Sequence, residues 1–408
     1  MVYLFITEKK ADNASDIFGS PMSPNSKKRI VICGNYGATN LGDEAILDGI
    51  ISLVRRASPD ADIAVMSANP EETAAMHGVE SVDLFPAGVR SMARGLFGGG
   101  IGKTIDAIKK ADLFILGGGG LFSDERPMAI VIWSLQARIA RMFLSPGKGK
   151  IFCLGQSVGP LGTFFGRRVT TSVFNHTAAV TVRDDASLAL LQNMGIMGVQ
   201  SLADPAFALS VNEPPDEKPE PYVVITARPW IKIRTNHQSA SAPNDVSKKI
   251  AQFIDWLWQE KGLKSVLIPF QLAVDNDVEV LNKIVAQVHN KDAVEIFEYS
   301  RDFRKTVELI ERATAVVGMR LHSLIFSTMC ARPFVALSYS KKVRDFAAQV
   351  GMEEFVMDWP AFDLQELCSR FDSLLNRQEE LKNRLNEALL TQRDLALRNV
   401  DIIKNLLT

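Results

Sequence analysis

The stretch Ala315-Val-Val-Gly-Met-Arg-Leu-His-Ser323 carries a short apolar strand into a glycine turn and then into the start of a helix. No carboxylate lies in the first turn of that helix. Its free backbone N–H groups, the Arg320 guanidinium and the His322 imidazole would therefore converge where a phosphate or carboxylate can be held. A histidine is more often a structural residue, but this context favours a catalytic one. The stretch predicts a βα unit with an anion site at the carboxyl end of its strand.

The same alternation of short β-branched strands and longer amphipathic segments extends through both halves of the chain, and it predicts parallel sheets. The predicted strands are Arg29–Cys33, Asp62–Met66, Asp112–Leu116, Lys150–Leu154, Ala178–Val182, Tyr222–Ala227, Ser265–Ile268, Ala293–Phe297, Ala315–Val317 and Phe334–Leu337. Residues 212–221 are rich in proline and acid and can neither pack nor continue a helix, so they are interpreted as a linker.

We therefore predict an α/β protein with two doubly wound, Rossmann-like domains that face each other across a cleft, followed by C-terminal helices. The predicted order is a loose tail at 1–27, a first domain at 28–211, the linker at 212–221, a second domain at 222–362 and terminal helices at 363–408. Ligands of such sheets bind outside the carboxyl ends of the strands, so the cleft is the expected site.

Composition restricts the function classes. Of the 408 residues, 47% are hydrophobic and 23% are charged, as in an ordinary globular protein. The net charge of −1 gives no attraction to nucleic acid, so no nucleic-acid partner is expected and any anion site must be local. We find no membrane-spanning run and no signal peptide, and four separated cysteines fit a reduced, cytoplasmic protein.

The loop after the first strand reads Gly34-Asn-Tyr-Gly-Ala-Thr-Asn-Leu-Gly-Asp-Glu44, and its glycines do not make the dinucleotide pattern GxGxxG. Asp43 and Glu44 would stand in the first turn of the next helix, where carboxylates are favourable and a pyrophosphate is repelled. The loop is thus expected to meet sugar hydroxyls, although a helix-capping turn without a ligand explains it equally well. The acceptor-side candidates here are Asn35, Tyr36, Asn40 and Asp43.

Four glycines begin the loop Gly117-Gly-Gly-Gly-Leu-Phe-Ser-Asp124. Such a run is useful where backbone approaches something closely, so the amides of Gly118 and Gly119 are candidates to cradle a sugar or an oxyanion. Close strand–helix packing is the alternative. Asp124 would either accept a hydroxyl proton at the cleft or cap a turn.

Several cationic residues also end strands. Arg183 is either a bidentate anion clamp or the ion-pair partner of Asp184 or Asp185, and taken alone the ion pair is the better interpretation. Arg228 ends the first strand of the second domain and is another candidate clamp. The stretch Ser338-Tyr-Ser-Lys-Lys342 adds a cation to the same edge as His322, with one of its two lysines expected in a solvated turn.

Seven motifs in this order resemble the polysaccharide pyruvyl transferases, and among them most closely the cell-wall-anchoring pyruvyl transferases. They are Gly34–Leu47, Gly117–Asp124, Gly155–Pro160, Val182–Ser187, Ala203–Phe207, Gly318–Ser323 and Ser338–Val343. The ordered set spans roughly residues 28–358 and is far more specific than any one motif. The resemblance implies a fold similar to that of GT-B glycosyltransferases, and binding of phosphoenolpyruvate without a metal or other cofactor.

Carried over by position, the resemblance implies donor contacts from Arg183, Arg320, Leu321, His322 and Lys342. It weakens the ion-pair interpretation of Arg183. The family often has an aspartate and a proline between its tyrosine and lysine, where this chain has Ser340 and Lys341. Which of Lys341 and Lys342 reaches the donor therefore stays open.

The expected function is transfer of an enolpyruvyl or pyruvyl unit from phosphoenolpyruvate to a pair of sugar hydroxyls of a cell-surface or extracellular polysaccharide, or of its lipid-linked precursor. The products are a pyruvyl ketal and phosphate, and His322 is the expected general acid or base. Two rivals remain. One is a GT-B glycosyltransferase with a nucleotide-sugar donor, and the other is a carbohydrate-binding protein without turnover.

Two segments suggest a membrane contact. Residues 88–97 and 137–144 interleave arginines with large apolar residues, a pattern that suits an anionic bilayer surface and a lipid-linked acceptor. Ordinary packing helices with solvated arginines are the commoner explanation. The expected location is therefore cytoplasmic, with the inner face of the membrane as the candidate site of action.

Overall fold

The computed structural model describes residues 27–86, 100–125, 127–147, 149–210, 220–229, 243–273, 276–359 and 361–408. The strands are β1 Arg29–Cys33, β2 Asp62–Ser67, β3 Glu80–Asp83, β4 Leu113–Leu116, β5 Gly119–Phe122, β6 Lys150–Val158, β7 Ala179–Val182, β8 Val199–Ser201, β9 Tyr222–Thr226, β10 Lys264–Leu267, β11 Val294–Ile296, β12 Ala315–Gly318, β13 Phe334–Ser338 and β14 Val356–Asp358. The helices are α1 Leu41–Ala57, α2 Pro70–His77, α3 Gly100–Lys110, α4 Pro127–Phe143, α5 Phe164–Phe174, α6 Asp185–Asn193, α7 Pro243–Lys261, α8 Asp277–Gln287, α9 Phe303–Arg312, α10 Leu321–Met329, α11 Lys341–Gln349, α12 Leu364–Asn376, α13 Gln378–Leu397 and α14 Asn399–Leu407.

All ten strands predicted from the sequence are present, to within a few residues at their ends. The sequence prediction missed β3, β5, β8 and β14, which have only three or four residues each. Three of them are sheet-edge strands, and β5 begins inside the glycine run, where β propensity is low. The predicted α/β class with parallel sheets and C-terminal helices is confirmed.

Two parallel sheets form the molecule. The first has the order β3-β2-β1-β4-β6-β7-β8, with β5 paired to β6, and the second has the order β11-β10-β9-β12-β13-β14. In each sheet the order reverses between two neighbouring strands, β1 and β4 in the first and β9 and β12 in the second. The loops after these strands diverge to opposite faces and leave a crevice, which is where ligands bind in doubly wound sheets.

Both faces of the first sheet are buried, as a doubly wound sheet requires. Along β1, Ile30 and Ile32 pack into one hydrophobic cluster, while Val31 and Cys33 pack into a second cluster on the opposite face. The C-terminal helices also reach this sheet, because the Thr181 hydroxyl donates to the Asn399 side chain over 3.0 Å.

Some sequence expectations fall on residues outside the described ranges. These are almost all of the tail at 1–27, most of the linker at 212–221 and all of the arginine-containing segment at 88–97. The four cysteines are unpaired, and Cys33 and Cys153 are buried as predicted. Among the described helices, none combines the length and apolar content needed to cross a bilayer.

Candidate active site

A cavity of about 590 Å³ lies between the two sheets, at the carboxyl ends of the strands where each order reverses. Register explains how the loops meet. Cys33 pairs with Leu116 at the ends of β1 and β4, and Thr226 pairs with Gly318 at the ends of β9 and β12. The sequence candidates that line the cavity are Asn40, Asp43, Gly119, Arg183, Arg228, Arg320, Leu321, His322 and Lys342.

His322 is the second residue of α10 and stands in its first turn, two positions after the N-cap residue Arg320. As predicted, that turn contains no carboxylate. The imidazole is nevertheless close to an acid from the other sheet, because its Nε2 lies 3.7 Å from Asp204 Oδ2. This distance is too long for a hydrogen bond, and Nε2 is buried with no hydrogen-bond partner among the described residues. His322 therefore brings to the cavity a ring nitrogen that no described residue engages in a hydrogen bond.

The His322 ring packs directly on the first turn of α1. A Cβ added at Gly42 would lie 2.0 Å from His322 Nδ1, closer than any real contact allows. Only glycine at this position lets the two helix starts approach each other. Two neighbouring contacts hold this arrangement: Leu41 N donates to Phe270 O over 3.1 Å, and Ala273 N donates to Thr39 Oγ1 over 3.1 Å.

Asp43 faces the cavity from α1 and is almost completely buried. Burial raises the pKa of its carboxyl to about 6. Two neighbours lower that pKa in part: the Asn35 side-chain amide, which donates to the carboxylate over 2.7 Å, and His322. The neighbouring Glu44 turns away and accepts from Gly37 N over 2.8 Å. Of the two consecutive carboxylates, Asp43 is thus placed to exchange protons near neutral pH.

Arg183 ends β7 and forms a buried ion pair with Asp204. Burial is the largest single influence on the pKa of Asp204 and would raise it. The Arg183 guanidinium and His322, with the backbone N–H of Ala206, together outweigh burial and hold that pKa well below its usual range. The sequence interpretation named the wrong partners for this arginine. Asp184 instead caps α6 through Ser187 N over 2.7 Å, and Asp185 accepts from the Ser201 hydroxyl.

Arg320 is fixed by Asp277, the first residue of α8. Its Nε donates to Oδ2 over 3.2 Å and its Nη2 donates to Oδ1, which is the planar, two-bond geometry that arginine forms with carboxylates. The same carboxylate accepts from the backbone N–H groups of Phe270 and Gln271, over 2.9 and 3.2 Å. The Arg320 guanidinium is therefore held in one orientation at the cavity wall.

Two further cations line the cavity from the second sheet. The Arg228 guanidinium stacks on the ring of Tyr339, 4.2 Å from its centroid. Lys342 reaches towards the first sheet, because a Cβ added at Gly120 would lie 3.3 Å from its Nζ. Lys341 instead has a side chain that is 75% exposed and pairs with Asp345 over 2.7 Å. Lys342 is thus the lysine that spans the cleft.

Four acceptor-side candidates do not line the cavity. Tyr36 is fully buried behind the glycine loop, and the Asn35 side-chain amide donates a hydrogen bond to Asp43. Gly118 packs against backbone, since a Cβ there would lie 2.7 Å from Gly155 O, which is the close-packing alternative. Asp124 accepts from both the backbone N–H and the hydroxyl of Thr163, so it caps a turn.

The lack of a carboxylate in the first turn of α10 does not make the second-domain site free of acids. Asp277 and Asp204 stand beside Arg320 and His322, but each comes from a distant part of the chain. A local signal existed for Asp204, which stands in the motif Ala203–Phe207, one of the seven that carry the resemblance. No comparable signal marks Asp277, which is one of many acidic residues at a helix start. Within the described residues, no group of three or more acidic, histidine or cysteine side chains is arranged to hold a metal ion.

Two sequence comparisons relate this chain to known proteins. The model of the family described as "Polysaccharide pyruvyl transferase" matches residues 40–341, a range that contains both helix starts, α1 and α10. The amylovoran biosynthesis protein AmsJ of Erwinia amylovora is 23% identical over 423 residues, which cover 93% of this chain and 100% of that protein.

Solved structures share the fold at low sequence identity. The UDP co-structure of MnaA from S. aureus superposes with a TM-score of 0.61 at 12% identity, over 93% of this chain and 96% of that one. A glycosyltransferase from Rickettsia africae gives 0.57 at 11% identity, over 94% and 100%. The UDP-GlcNAc 2-epimerase of Neisseria meningitidis, bound to UDP-GlcNAc, gives 0.59 at 12%, over 93% and 100%. The predicted GT-B-like arrangement is therefore confirmed.

Proposed function

Because the chain belongs to the polysaccharide pyruvyl transferase family, we propose that it transfers the pyruvyl unit of phosphoenolpyruvate to two hydroxyls of a polysaccharide or of its lipid-linked precursor. The observation that carries the proposal is the cavity in which Arg183, Arg228, Arg320 and Lys342 surround His322 and Asp43. Phosphoenolpyruvate bears a carboxylate and a phosphate, so its site needs at least two separate cationic holds. Arg183 approaches from the first sheet and the other three cations from the second.

The reaction needs protons delivered and removed at defined atoms. A proton added to the methylene carbon of phosphoenolpyruvate develops positive charge at the central carbon, and a sugar hydroxyl then adds there and releases its own proton. Phosphate leaves with the electron pair of its C–O bond, and the second hydroxyl adds to the same carbon and loses its proton. The result is one cyclic ketal and one phosphate.

His322 and Asp43 are the residues that we assign to these proton transfers. Histidine gives and takes protons near neutral pH. The Asp43 carboxyl, with a pKa of about 6, is mostly ionised at neutral pH and can accept a proton there. We assign the donor-side proton to His322, which shares its helix start with Arg320. We assign removal of the hydroxyl proton to Asp43, which lies on the first-sheet side with Asn40 and Gly119. Asp204 and Asp277 are positioning residues.

The direct test supplies phosphoenolpyruvate together with a panel of glycan and lipid-linked acceptors. We expect phosphate release that depends on the acceptor, and an acceptor mass increased by one ketal-linked pyruvate. Phosphate release without acceptor modification, or no release with any acceptor that carries two neighbouring hydroxyls, would contradict the proposal.

A nucleotide-sugar glycosyltransferase is the second candidate, since fold neighbours are named in complex with UDP or UDP-GlcNAc. Thermal melting separates the two. We expect phosphoenolpyruvate to raise the melting temperature and UDP-sugars at the same concentration to leave it unchanged. The reverse pattern would favour the glycosyltransferase.

The same proposal places the protein in the cytoplasm, at the inner face of the membrane. Its donor is a cytoplasmic metabolite, and four unpaired cysteines suit a reducing compartment. Fractionation of cells that express the chain checks this, with recovery outside the cytoplasm and the inner membrane as the contrary result.

A further inference from the structure

The solvent-facing side of α4 and α5 is rich in large apolar residues. The Phe164 side chain is 79% exposed and Met142 is 68% exposed, and Phe165 and Met128 are exposed as well. Side chains of this size are normally covered in a protein of ordinary composition, and a group of them on one face marks an interaction surface. We call these four residues, together with the arginines described next, the α4–α5 patch.

The patch is also cationic. Arg138 and Arg141 on α4 and Arg168 on α5 are exposed, and Arg138 lines two adjoining grooves between these helices. Neither α4 nor α5 contains an aspartate or a glutamate. None of the three arginines forms an ion pair with another described residue. A partner of this patch must therefore offer both negative charge and an apolar region that the large side chains can enter.

The patch adjoins the acceptor side of the cavity. Ser123 and Glu125 line the cavity shortly before α4 begins, and Gly159 and Pro160 line it shortly before α5 begins. Asp124 joins the two loops, since it accepts from the backbone N–H and the hydroxyl of Thr163 over 2.7 and 2.9 Å. A partner surface bound to the patch would thus lie next to the cavity.

We infer that the α4–α5 patch docks the protein on an anionic phospholipid bilayer. The arginines would meet the lipid headgroups, and Phe164, Phe165 and the two methionines would enter the interfacial region. Of the two segments suggested by the sequence, 137–144 contributes Arg138, Arg141 and Met142, while its remaining apolar residues are mostly covered by the core. Resting on the proposed function, the inference adds that the acceptor is held by a lipid and enters the cavity from the bilayer.

The test measures binding of the full chain to vesicles without phosphoenolpyruvate or acceptor. Co-sedimentation with phosphatidylglycerol-containing vesicles is compared with co-sedimentation with phosphatidylcholine alone. We expect binding to the anionic vesicles only, and weaker binding as salt increases. Equal binding to both vesicle types, or none to either, would overturn the inference.

Matched variants locate the surface. Replacing both phenylalanines (Phe164→Ser with Phe165→Ser) should weaken partition at least tenfold, since two buried aromatic side chains are removed. Changing Arg138, Arg141 and Arg168 to Gln should weaken it about fivefold for each charge. The control is Leu390→Ser, which removes an exposed leucine on α13, outside the patch, and should bind as the parent chain does.

Two further measurements keep this test separate from the test of the proposed function. The patch variants should retain the melting temperature and the stabilisation by phosphoenolpyruvate, because none of their residues lines the cavity. Patch variants that bind vesicles as the parent does would overturn the inference even if ketals form. A concentration-dependent dimer that the same variants abolish would also overturn it, because the patch would then be a protein interface.

Discussion

The starts of α1 and α10 are the same local structure with opposite chemistry. Each follows a central strand of its sheet, and each points its first turn into the cavity. The α1 start presents the Asp43 carboxyl, while the α10 start presents the Arg320 guanidinium and the His322 imidazole. A helix N-terminus favours anions in both cases, but the first turn of α1 contains carboxylates of the protein itself and the first turn of α10 contains none.

This difference between the two helix starts makes the cleft between two similar sheets asymmetric. The two helix starts touch, since only the absence of a side chain at Gly42 lets the His322 ring pack there. In the proposed function, acid and imidazole therefore belong to one proton-transfer site, with the donor on the His322 side and the acceptor on the Asp43 side. The predictions below separate the contributions of the two helix starts.

The largest effect is expected at the α10 start. His322→Ala should lower kcat by about 10²–10⁴-fold, the usual contribution of a positioned acid or base, while the protein stays folded. The measurement is acceptor-dependent phosphate release, with phosphoenolpyruvate binding followed by calorimetry. The control is His289→Ala, which removes an exposed histidine paired with Asp255 far from the cavity lining. Near-normal turnover of a folded His322→Ala protein would refute the role.

At the α1 start, Asp43→Asn should lower kcat by about 10²-fold, because the amide cannot accept the hydroxyl proton. In the parent chain turnover should fall as the pH drops through about 6, where Asp43 takes up a proton. That acid limb should be absent from the variant. A pH profile of kcat measures this, and a variant that keeps the limb would assign it to another group.

The same substitution should increase stability at neutral pH. Burial raises the folded-state pKa of Asp43 above the ordinary 3.8, so the native state loses stability as the pH rises through about 6 and a buried charge must form. Asn carries no charge, and above that pH the variant should gain up to about 3 kcal/mol in the free energy of unfolding. Below about pH 4 the two proteins should be alike. Denaturant unfolding of both proteins below pH 4 and at neutral pH measures whether the variant gains stability as predicted.

These residues also show what could be predicted from the sequence. Strand–turn–helix patterns are local, so ten of the fourteen described strands, the fold class and the α10 start could be predicted from residue order alone. The partners of the charged groups could not, because Asp277 and Asp204 reach Arg320 and Arg183 only after the chain folds. The burial of individual side chains could not be predicted either, because it also depends on tertiary packing. Tyr36 looked like an exposed loop residue but is fully covered, and Asp43 has a raised pKa that depends on that packing.

A smaller effect is expected from the orientation of the donor clamp. Arg320→Lys keeps a positive charge beside Asp277 but loses the planar two-bond geometry, so the fold should persist while donor recognition weakens. We expect the Kd for phosphoenolpyruvate to rise about 10–100-fold, from the loss of charge-assisted hydrogen bonds. Calorimetry measures the Kd and thermal melting checks the fold. An unchanged Kd would remove Arg320 from the donor site.

The smallest effect uses two adjacent lysines as each other's control. Lys342 reaches the Gly120 backbone across the cleft, whereas Lys341 is exposed and pairs with Asp345 on its own helix. Lys342→Ala should therefore raise the Kd for phosphoenolpyruvate about tenfold, while Lys341→Ala should leave it within about twofold, as expected for an exposed ion pair. Equal effects would mean that net charge at the start of α11 matters and the position of the amine does not. A larger effect at Lys341 would mean that α11 turns when the donor binds, so that the lysine now in solvent becomes the one that reaches the Gly120 backbone.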